Sequence, residues 1–332
     1  MFEKLLVPLD GSLLAECVLP HVKSTAKAFA AEVVLLRVVE GANGATTLPA
    51  DPLAYQMRKV EAKASLERVR YALQDAGIET REVILEGVAA DRITEYARAN
   101  DFDLLILSTH GSSGLEPWRA GSVAQKVIER AKTSILLVRA FQEPVHHATL
   151  QRYGRVMVSL DGSQRAEAAL APAVALAERA NAELVLAHVV LKPSCFPYMS
   201  CPAESRALVE ELTRRNRAQA HDYLERLQKR LPVPSQVRVL VADKIMGALQ
   251  ELAEQEQIDL VVGSAHGQGC DRRRRYGSVM SETIAYGAAP LLVYQDMHPE
   301  QMAATAAESV VREQASASNW RREPLAAGWR TA

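Results

Sequence analysis

The chain is poor in cysteine, shows no excess of either charge sign and contains no long apolar run. Each shortage removes a class of protein. Four cysteines among 332 residues, Cys17, Cys195, Cys201 and Cys270, are too few and too scattered for a disulfide framework. Cys195 and Cys201 flank Pro197 at a spacing unlike the common zinc patterns, so plain thiols and no metal site are expected. With 39 Lys+Arg against 40 Asp+Glu and a sequence pI near 6.7, there is no broad positive field for nucleic acid or an anionic membrane. No window approaches the ~20 apolar residues of a membrane helix, and Met1-Phe-Glu-Lys4 lacks the basic start and apolar stretch of a secretory leader. The expectation is a soluble cytoplasmic protein with no nucleic-acid or membrane partner. Its length predicts about two domains at roughly 100–200 residues each.

What is present is a repeat. Lys4-Leu-Leu-Val-Pro-Leu-Asp-Gly-Ser12 returns as Arg155-Val-Met-Val-Ser-Leu-Asp-Gly-Ser163, an offset of 151. The same offset relates Glu32-Val-Val-Leu-Leu-Arg-Val-Val39 to Glu183-Leu-Val-Leu-Ala-His-Val-Val190. Asp103-Leu-Leu-Ile-Leu-Ser-Thr-His-Gly111 then matches Asp259-Leu-Val-Val-Gly-Ser-Ala-His-Gly267 at an offset of 156. The added residues belong in the loop around Lys192 to Pro202.

Short β-branched runs alternate with longer helical patterns in each half, the signature of βαβ units and a parallel sheet. Strands are expected near 4–9, 32–39, 79–86, 103–108 and 134–139, with helices near 13–30, 55–76, 88–99 and 121–131. The second half repeats this with strands at 155–160, 183–190, 236–241, 258–263 and 290–294, and helices at 164–181, 204–230, 244–256 and 277–286. Leu104-Leu-Ile-Leu107 and Leu260-Val-Val262 are apolar without alternation, as central strands covered on both faces must be. Each half therefore reads as a doubly wound α/β domain, 1–140 and 154–296, with a linker at 141–153. The tail at 297–332 loses periodicity and is expected to be disordered or loosely helical. The last strands would be exposed apolar edges if the halves stood apart. They are expected to pair in an internal pseudo-dimer, with a homodimer as a further option.

Ligands of open parallel sheets sit beyond the carboxyl ends of the strands, where strand order reverses. Asp10 and Asp161 fall there, where a carboxylate accepts hydrogen bonds from a nucleoside. Read alone, Asp-Gly-Ser is more simply a cap for the following helix. The second element is stronger. Ser108-Thr-His-Gly111 and Ser264-Ala-His-Gly267 each lead, after nine residues, into Gly121-Ser122-Val123 and Gly277-Ser278-Val279. Gly111 and Gly267 let backbone approach a ligand. Gly121-Ser122 and Gly277-Ser278 open helices whose free N–H groups favour phosphate. In His110 and His266 the backbone is read as mattering more than the ring.

These blocks resemble the universal stress protein family, over about residues 3–140 and 154–295, in the manner of its tandem two-domain members. ATP-binding members of that family carry Gly-x2-Gly-x9-Gly-(Ser/Thr) after the fourth strand and an Asp ending the first. The resemblance implies two Rossmann-like domains of the adenine nucleotide alpha hydrolase kind, each a five-stranded parallel sheet with helices on both faces. It also implies ATP, with or without Mg²⁺, at the switch point. By position, Pro8, Asp10 and Val38 would lie by the nucleoside, and Ser108, His110, Gly111, Gly121, Ser122 and Val123 along the ribose and phosphates. The second set is Asp161, Val189, Ser264, His266, Gly267, Gly277, Ser278 and Val279.

This sequence departs from the family pattern at several points. Ser108 and Ser264 replace the first glycine, so weakened binding is expected. Ser159 replaces the proline found at Pro8, and Cys270 stands where the first half has Gly114. Arg272-Arg-Arg-Arg275 occupies the loop that reads Glu116-Pro-Trp-Arg119 in the first half. Four guanidinium groups there serve either as a polyphosphate clamp or as a solvated, partner-contacting loop, and the second reading is preferred because consecutive side chains diverge. No general base, nucleophile dyad or acidic metal cluster emerges at a recognisable spacing. The expectation is an ATP-binding stress-response regulatory protein with at most slow hydrolysis, acting on protein partners. Its alternatives are a scaffold without nucleotide and an adenylyl- or phosphoryl-transfer enzyme with Glu40 as candidate base.

Overall fold

The computed structural model describes residues 1–40, 52–111, 121–140, 153–193, 203–269 and 274–296. The first half runs β1 (Lys4–Pro8), α1 (Leu19–Phe29), β2 (Glu32–Val39), α2 (Pro52–Gln74), β3 (Thr80–Glu86), α3 (Ala89–Ala99), β4 (Leu104–Ser108), α4 (Ser122–Arg130) and β5 (Ser134–Val138). The second repeats it as β6 (Arg155–Ser159), α5 (Gln164–Glu167), α6 (Leu170–Ala180), β7 (Glu183–Leu191), α7 (Ala203–Gln228), β8 (Ser235–Ala242), α8 (Ile245–Gln255), β9 (Leu260–Ser264), α9 (Ser278–Tyr286) and β10 (Leu291–Tyr294).

The ten strands form one sheet, ordered β3-β2-β1-β4-β5-β10-β9-β6-β7-β8. Within each half all pairings are parallel, and order reverses between β1 and β4 and between β6 and β9. The halves meet where β5 and β10 pair antiparallel, with Leu137 opposite Leu291, Leu136 opposite Leu292 and Ile135 opposite Val293. This places the two apolar edge strands at the centre of a continuous sheet.

Both faces of the sheet are covered, which is why its central strands do not alternate. Leu104 and Ile106 of β4 pack with Leu66, Val69 and Leu73 of α2 on one face. Leu105 and Leu107 pack on the other with Ile93 of α3 and Val127 of α4. Asp103 and Asp259 act at the strand starts. The Asp103 carboxylate accepts from the N–H groups of Glu3 and Lys4, at 2.8 and 2.9 Å. Asp259 does the same for Gly154 and Arg155, at 2.7 and 2.9 Å.

The single helices expected at 13–30 and 164–181 are each broken. A short 3₁₀ turn, Ala15–Val18, precedes α1, and α5 is separate from α6. Proline supplies the reason. Pro20 and Pro172 have no N–H to bond the carbonyl four residues earlier, and their rings crowd it. The linker and tail, including His146-His147, Trp320 and Trp329, lie outside the described residues, as do Cys195, Cys201 and Cys270.

Candidate functional site

At the end of β1 the chain turns through Asp10-Gly11-Ser12. Gly11 holds φ +80°, a left-handed conformation that favours glycine, and Gly162 repeats it at +85°. Asp10 Oδ1 accepts from the Ser12 N–H (2.9 Å) and Ser12 Oγ (2.6 Å), and Ser12 Oγ accepts from the Ala15 N–H (3.1 Å). Asp161, Ser163 and Ala166 copy these bonds at 2.9, 2.6 and 3.1 Å. One carboxylate oxygen therefore serves the turn in each half, and the serine caps the chain that follows.

The other oxygen faces the loop glycine. A Cβ added at Gly111 would lie 2.0 Å from Asp10 Oδ2, and one at Gly267 would lie 2.1 Å from Asp161 Oδ2. No other residue fits there, so the strand-end aspartate and the loop glycine are brought together in both halves. Ser108 ends β4, and its Oγ donates to the His110 carbonyl at 2.7 Å, which tightens the turn. The Gly121 N–H returns to the Thr109 carbonyl at 2.7 Å, and that of Gly277 to Ala265 at 2.8 Å. Both glycines then stand as N-caps of α4 and α9, so the cap itself offers no side chain to the free N–H groups of the first turn. Ser122 and Ser278 are exposed in the first turns, Val123 is exposed beside Ser122, and Val279 is half-buried. Pro8 is the half-buried last residue of β1. Val38 and Val189 are half-buried on β2 and β7, packed toward α3 and α8.

The two halves differ in how they hold the loop histidine. In the first, buried His110 Nδ1 meets Thr109 Oγ1 at 3.0 Å, and that oxygen accepts from the Ala140 N–H at 3.1 Å. In the second, Nδ1 of His266 meets Asp296 Oδ1 at 2.8 Å, Nε2 meets the Arg274 carbonyl at 2.9 Å, and Arg165 donates to Asp296 Oδ2 at 2.6 Å. Burial alone lowers the His266 pKa. The Asp296 bond and charge and the Arg274 carbonyl outweigh it and raise the value above the usual one. Burial likewise pushes Asp296 up, but His266 and Arg165 bring it below its ordinary range. Asp161 is more engaged than a free carboxylate would be, since its Oδ2 accepts from the Gln268 N–H at 2.6 Å.

Sequence reasoning missed Asp296 and Arg165, which are distant in the chain and absent from the first half, where Ala140 and Leu14 hold the matching places. It also missed Arg37 and His188, which occupy one repeat position beside the Asp-Gly-Ser turns. Arg37 Nη1 donates to the Leu9 carbonyl at 3.4 Å and would be 3.1 Å from a Cβ on Gly11. Burial lowers its pKa, against the pull of Asp10 and Glu61. The signal was available in the paired blocks 32–39 and 183–190, where both residues interrupt an apolar run.

The arginine loop is not uniformly solvated. Arg274 is exposed, whereas Arg275 is only 9% exposed, and the hydroxyl of the adjacent buried Tyr276 donates to the Ile128 carbonyl at 3.0 Å. Arg272 and Arg273 lie outside the described residues. Glu40 accepts from the Ala89 N–H at 2.9 Å, at the start of α3, and is thereby committed as a helix cap. Among the described residues the one group able to gather a metal ion is exposed His221, Asp222 and Glu225 on α7, away from both glycine loops in the fold. No described helix is long and apolar enough to cross a membrane.

Fold and site together define a tandem doubly wound α/β protein with a strand-end aspartate held against a loop glycine beyond the sheet in each half. The universal stress protein family matches residues 1–139 and 152–295. A universal stress protein of Methanocaldococcus jannaschii is 33% identical over 142 residues, covering 42% of this chain and 83% of the relative. One of Mycolicibacterium smegmatis is 24% identical over 299 residues, 87% of this chain and 96% of its own length, so it shares the tandem arrangement. The crystal structure of a universal stress protein from Archaeoglobus fulgidus aligns with a TM-score of 0.63 at 18% identity, covering 89% of this chain and 98% of its own. The chain belongs to the universal stress protein family.

Proposed function

We propose that the first half binds ATP at the cleft between Asp10, Gly111 and the start of α4, and that occupancy regulates contacts with protein partners in a stress response. The observation that carries this reading is the bare Gly111 backbone held against the Asp10 carboxylate, with the N-terminus of α4, capped only by Gly121, closing the same loop. The carboxylate and loop backbone suit a ribose hydroxyl, and the α4 amides suit phosphate oxygens. Pro8 and Val38 would flank the nucleoside, and Ser108, His110, Gly121, Ser122 and Val123 follow the sugar and phosphates. Mg²⁺ would arrive with the phosphates, since Asp10 is the single carboxylate at the turn and one of its oxygens is already used.

A structural role is favoured for the second half. There the Arg165–Asp296–His266 network engages the loop histidine and places an ion pair beside the loop. This assigns Asp161, Val189, Ser264, Gly267, Gly277, Ser278 and Val279 to a weaker or unused site. For the transferase alternative, one oxygen of its candidate base Glu40 is engaged by the first amide of α3, which favours a positioning role for that residue.

Mass spectrometry of nucleotide released from freshly purified protein, with calorimetry against ATP and Mg²⁺, tests the reading. One adenine nucleotide per chain is expected, and Gly121→Asp should weaken binding at least tenfold by placing a carboxylate against the phosphates. No released nucleotide and no heat at millimolar ATP would establish the scaffold alternative instead.

A further inference from the structure

Among the described residues the two halves differ on the face where α8 and α9 cover the sheet. In the first half, Asp91 of α3 forms an ion pair with Arg130 of α4, and Phe102 packs beneath. The repeat puts Gly247, Tyr286 and Ile258 at those positions, so the second pair of helices lacks the clamp and part of the filling. Gly263 stands where the first half has Leu107, and Met280 reaches into the vacated space, 2.5 Å from where a Cβ would be. Tyr276 plugs the corner at the end of α4, whereas its repeat position in the first half is Ala120, which carries only a methyl group.

The result is a cavity of about 340 Å³ between α8, α9 and the sheet, at the seam with the first half. One wall is apolar, formed by Met157, Met246, Leu249, Ala253, Val261 and Met280, while His21, Ser159, Gln257 and Thr283 supply polar lining elsewhere. Three methionines make that wall adaptable to an occupant's shape. Into this space the first half inserts Arg139, only 5% exposed. Its Nη2 donates to the Thr283 and Ile284 carbonyls, both at 2.9 Å, at the end of α9. Its Nε has no hydrogen-bond partner, and no described carboxylate pairs with it. Burial draws its pKa down to about 10, as expected for a cation compensated only by carbonyl dipoles. Of the carboxylates lining the cavity, Asp259 is committed to two backbone N–H groups, and Glu254 lies exposed at the rim, accepting from Gln250.

We propose that this seam cavity binds a small amphiphilic carboxylate, its apolar body against the methionine-lined wall and its carboxylate on the Arg139 guanidinium. A buried guanidinium without a counter-charge is costly, and a carboxylate offers it the charge-assisted bonds it lacks. The cavity lies within the size range of small-molecule sites, and it contains none of the residues assigned above to ATP. Because Arg139 comes from one half and the wall from the other, occupancy bears directly on how the halves are joined.

The full chain is titrated by calorimetry with decanoate and with decanol, both below their aggregation limits. Saturable binding of one decanoate per chain is expected, with decanol at least tenfold weaker. Equal binding of the two, or no saturable decanoate binding, overturns the proposal without recourse to any variant. Arg139→Met should lose at least tenfold for decanoate and leave decanol unchanged, while Arg139→Lys should retain part of the preference. Ala253→Phe, which fills the cavity from α8, should abolish both. Unaltered decanoate affinity in Ala253→Phe or Arg139→Met, each checked for native unfolding behaviour, places the molecule elsewhere and refutes the assignment.

Discussion

Gly111→Ala is the sharpest probe of the first cleft, because the structure sets both its cost and its control. The new Cβ would lie 2.0 Å from Asp10 Oδ2 and 2.9 Å from Asp10 Cγ, against an ordinary carbon contact of about 3.5–4.0 Å. Turning the carboxylate about its own axis cannot relieve the contact with Cγ. The whole side chain must swing, and it then gives up the bonds from the Ser12 N–H and Oγ. Losing such charge-assisted bonds costs about 1–3 kcal/mol, and in a domain of this size that lowers the melting temperature by roughly 2 °C or more. Gly267→Ala meets the same obstacle, 2.1 Å from Asp161 Oδ2, and there the swing also breaks the bond from the Gln268 N–H, so it should cost at least as much stability. The two variants part company on nucleotide. Calorimetry with ATP and Mg²⁺ should show at least tenfold weaker binding in Gly111→Ala and wild-type affinity in Gly267→Ala. Equal affinities in Gly111→Ala and the parent, or an equal loss in both variants, would refute the placement of ATP in the first half.

Three further outcomes follow from the packing between and within the halves. His266 has a raised folded pKa, so its contribution is complete below the unfolded value of 6.5 and is lost as pH rises through the folded one. Asp296 has a lowered pKa, so its share is present above 3.8 and is lost in stronger acid. Asp296→Asn should therefore cost most between about pH 4 and 6.5, and urea unfolding that showed a larger loss at pH 8 than at pH 5 would contradict this. His21 behaves in the opposite way. Burial lowers its pKa from 6.5 to about 4, so the unfolded chain takes the proton first, and the fold loses about 3 kcal/mol as pH falls across that window. In His21→Gln that acid sensitivity should flatten, as followed by thermal unfolding at pH 7 and pH 4.5. Tyr276→Phe removes the hydroxyl on the Ile128 carbonyl, a bond between the halves, and should cost about 1 kcal/mol, read as a lower urea midpoint with an unchanged slope.

Much of this architecture was legible in the sequence because it depends on short-range patterns. Apolar runs such as Leu104–Leu107 declare strands buried on two faces, and the repeated Asp-Gly-Ser and Gly-x9-Gly-Ser spacings fix which loops share a cleft. The pairing of β5 with β10 followed from two apolar edges that needed cover. Pro20 and Pro172 carried the message that their helices break, but the long apolar periodicity around them masked it. What was illegible depends on residues far apart in the chain. His266 and Asp296 are separated by α9 and β10, and neither residue type at its position announces the other. The Arg139 cavity is harder still to read. It arises from several small differences between repeat copies, each unremarkable singly, whose volumes and charges combine only when the halves are joined.

The divergence of the copies has a physical logic that runs through three positions at once. Thr109, Ala140 and Leu14 of the first half become Ala265, Asp296 and Arg165 of the second. Each change alone would be penalised. Asp296, with a side chain only 1% exposed, would be a buried charge without Arg165 and His266, and a buried carboxylate lacking its partners costs several kcal/mol. Without the Asp296 carboxylate, Arg165 would lose the partner that holds it at the sheet, and His266 would lose the oxygen that supports its charge. Thr109 takes the matching place in the first half, where its hydroxyl accepts from the Ala140 N–H and meets the His110 ring. Such a set changes as a unit, because the buried acid is tolerable only with its partners present. The first half thus holds its loop histidine through a hydroxyl, whereas the second places an ion pair beside the loop. A repeated fold can in this way separate the work of its halves while leaving the glycines, the strand order and the central pairing of the sheet intact.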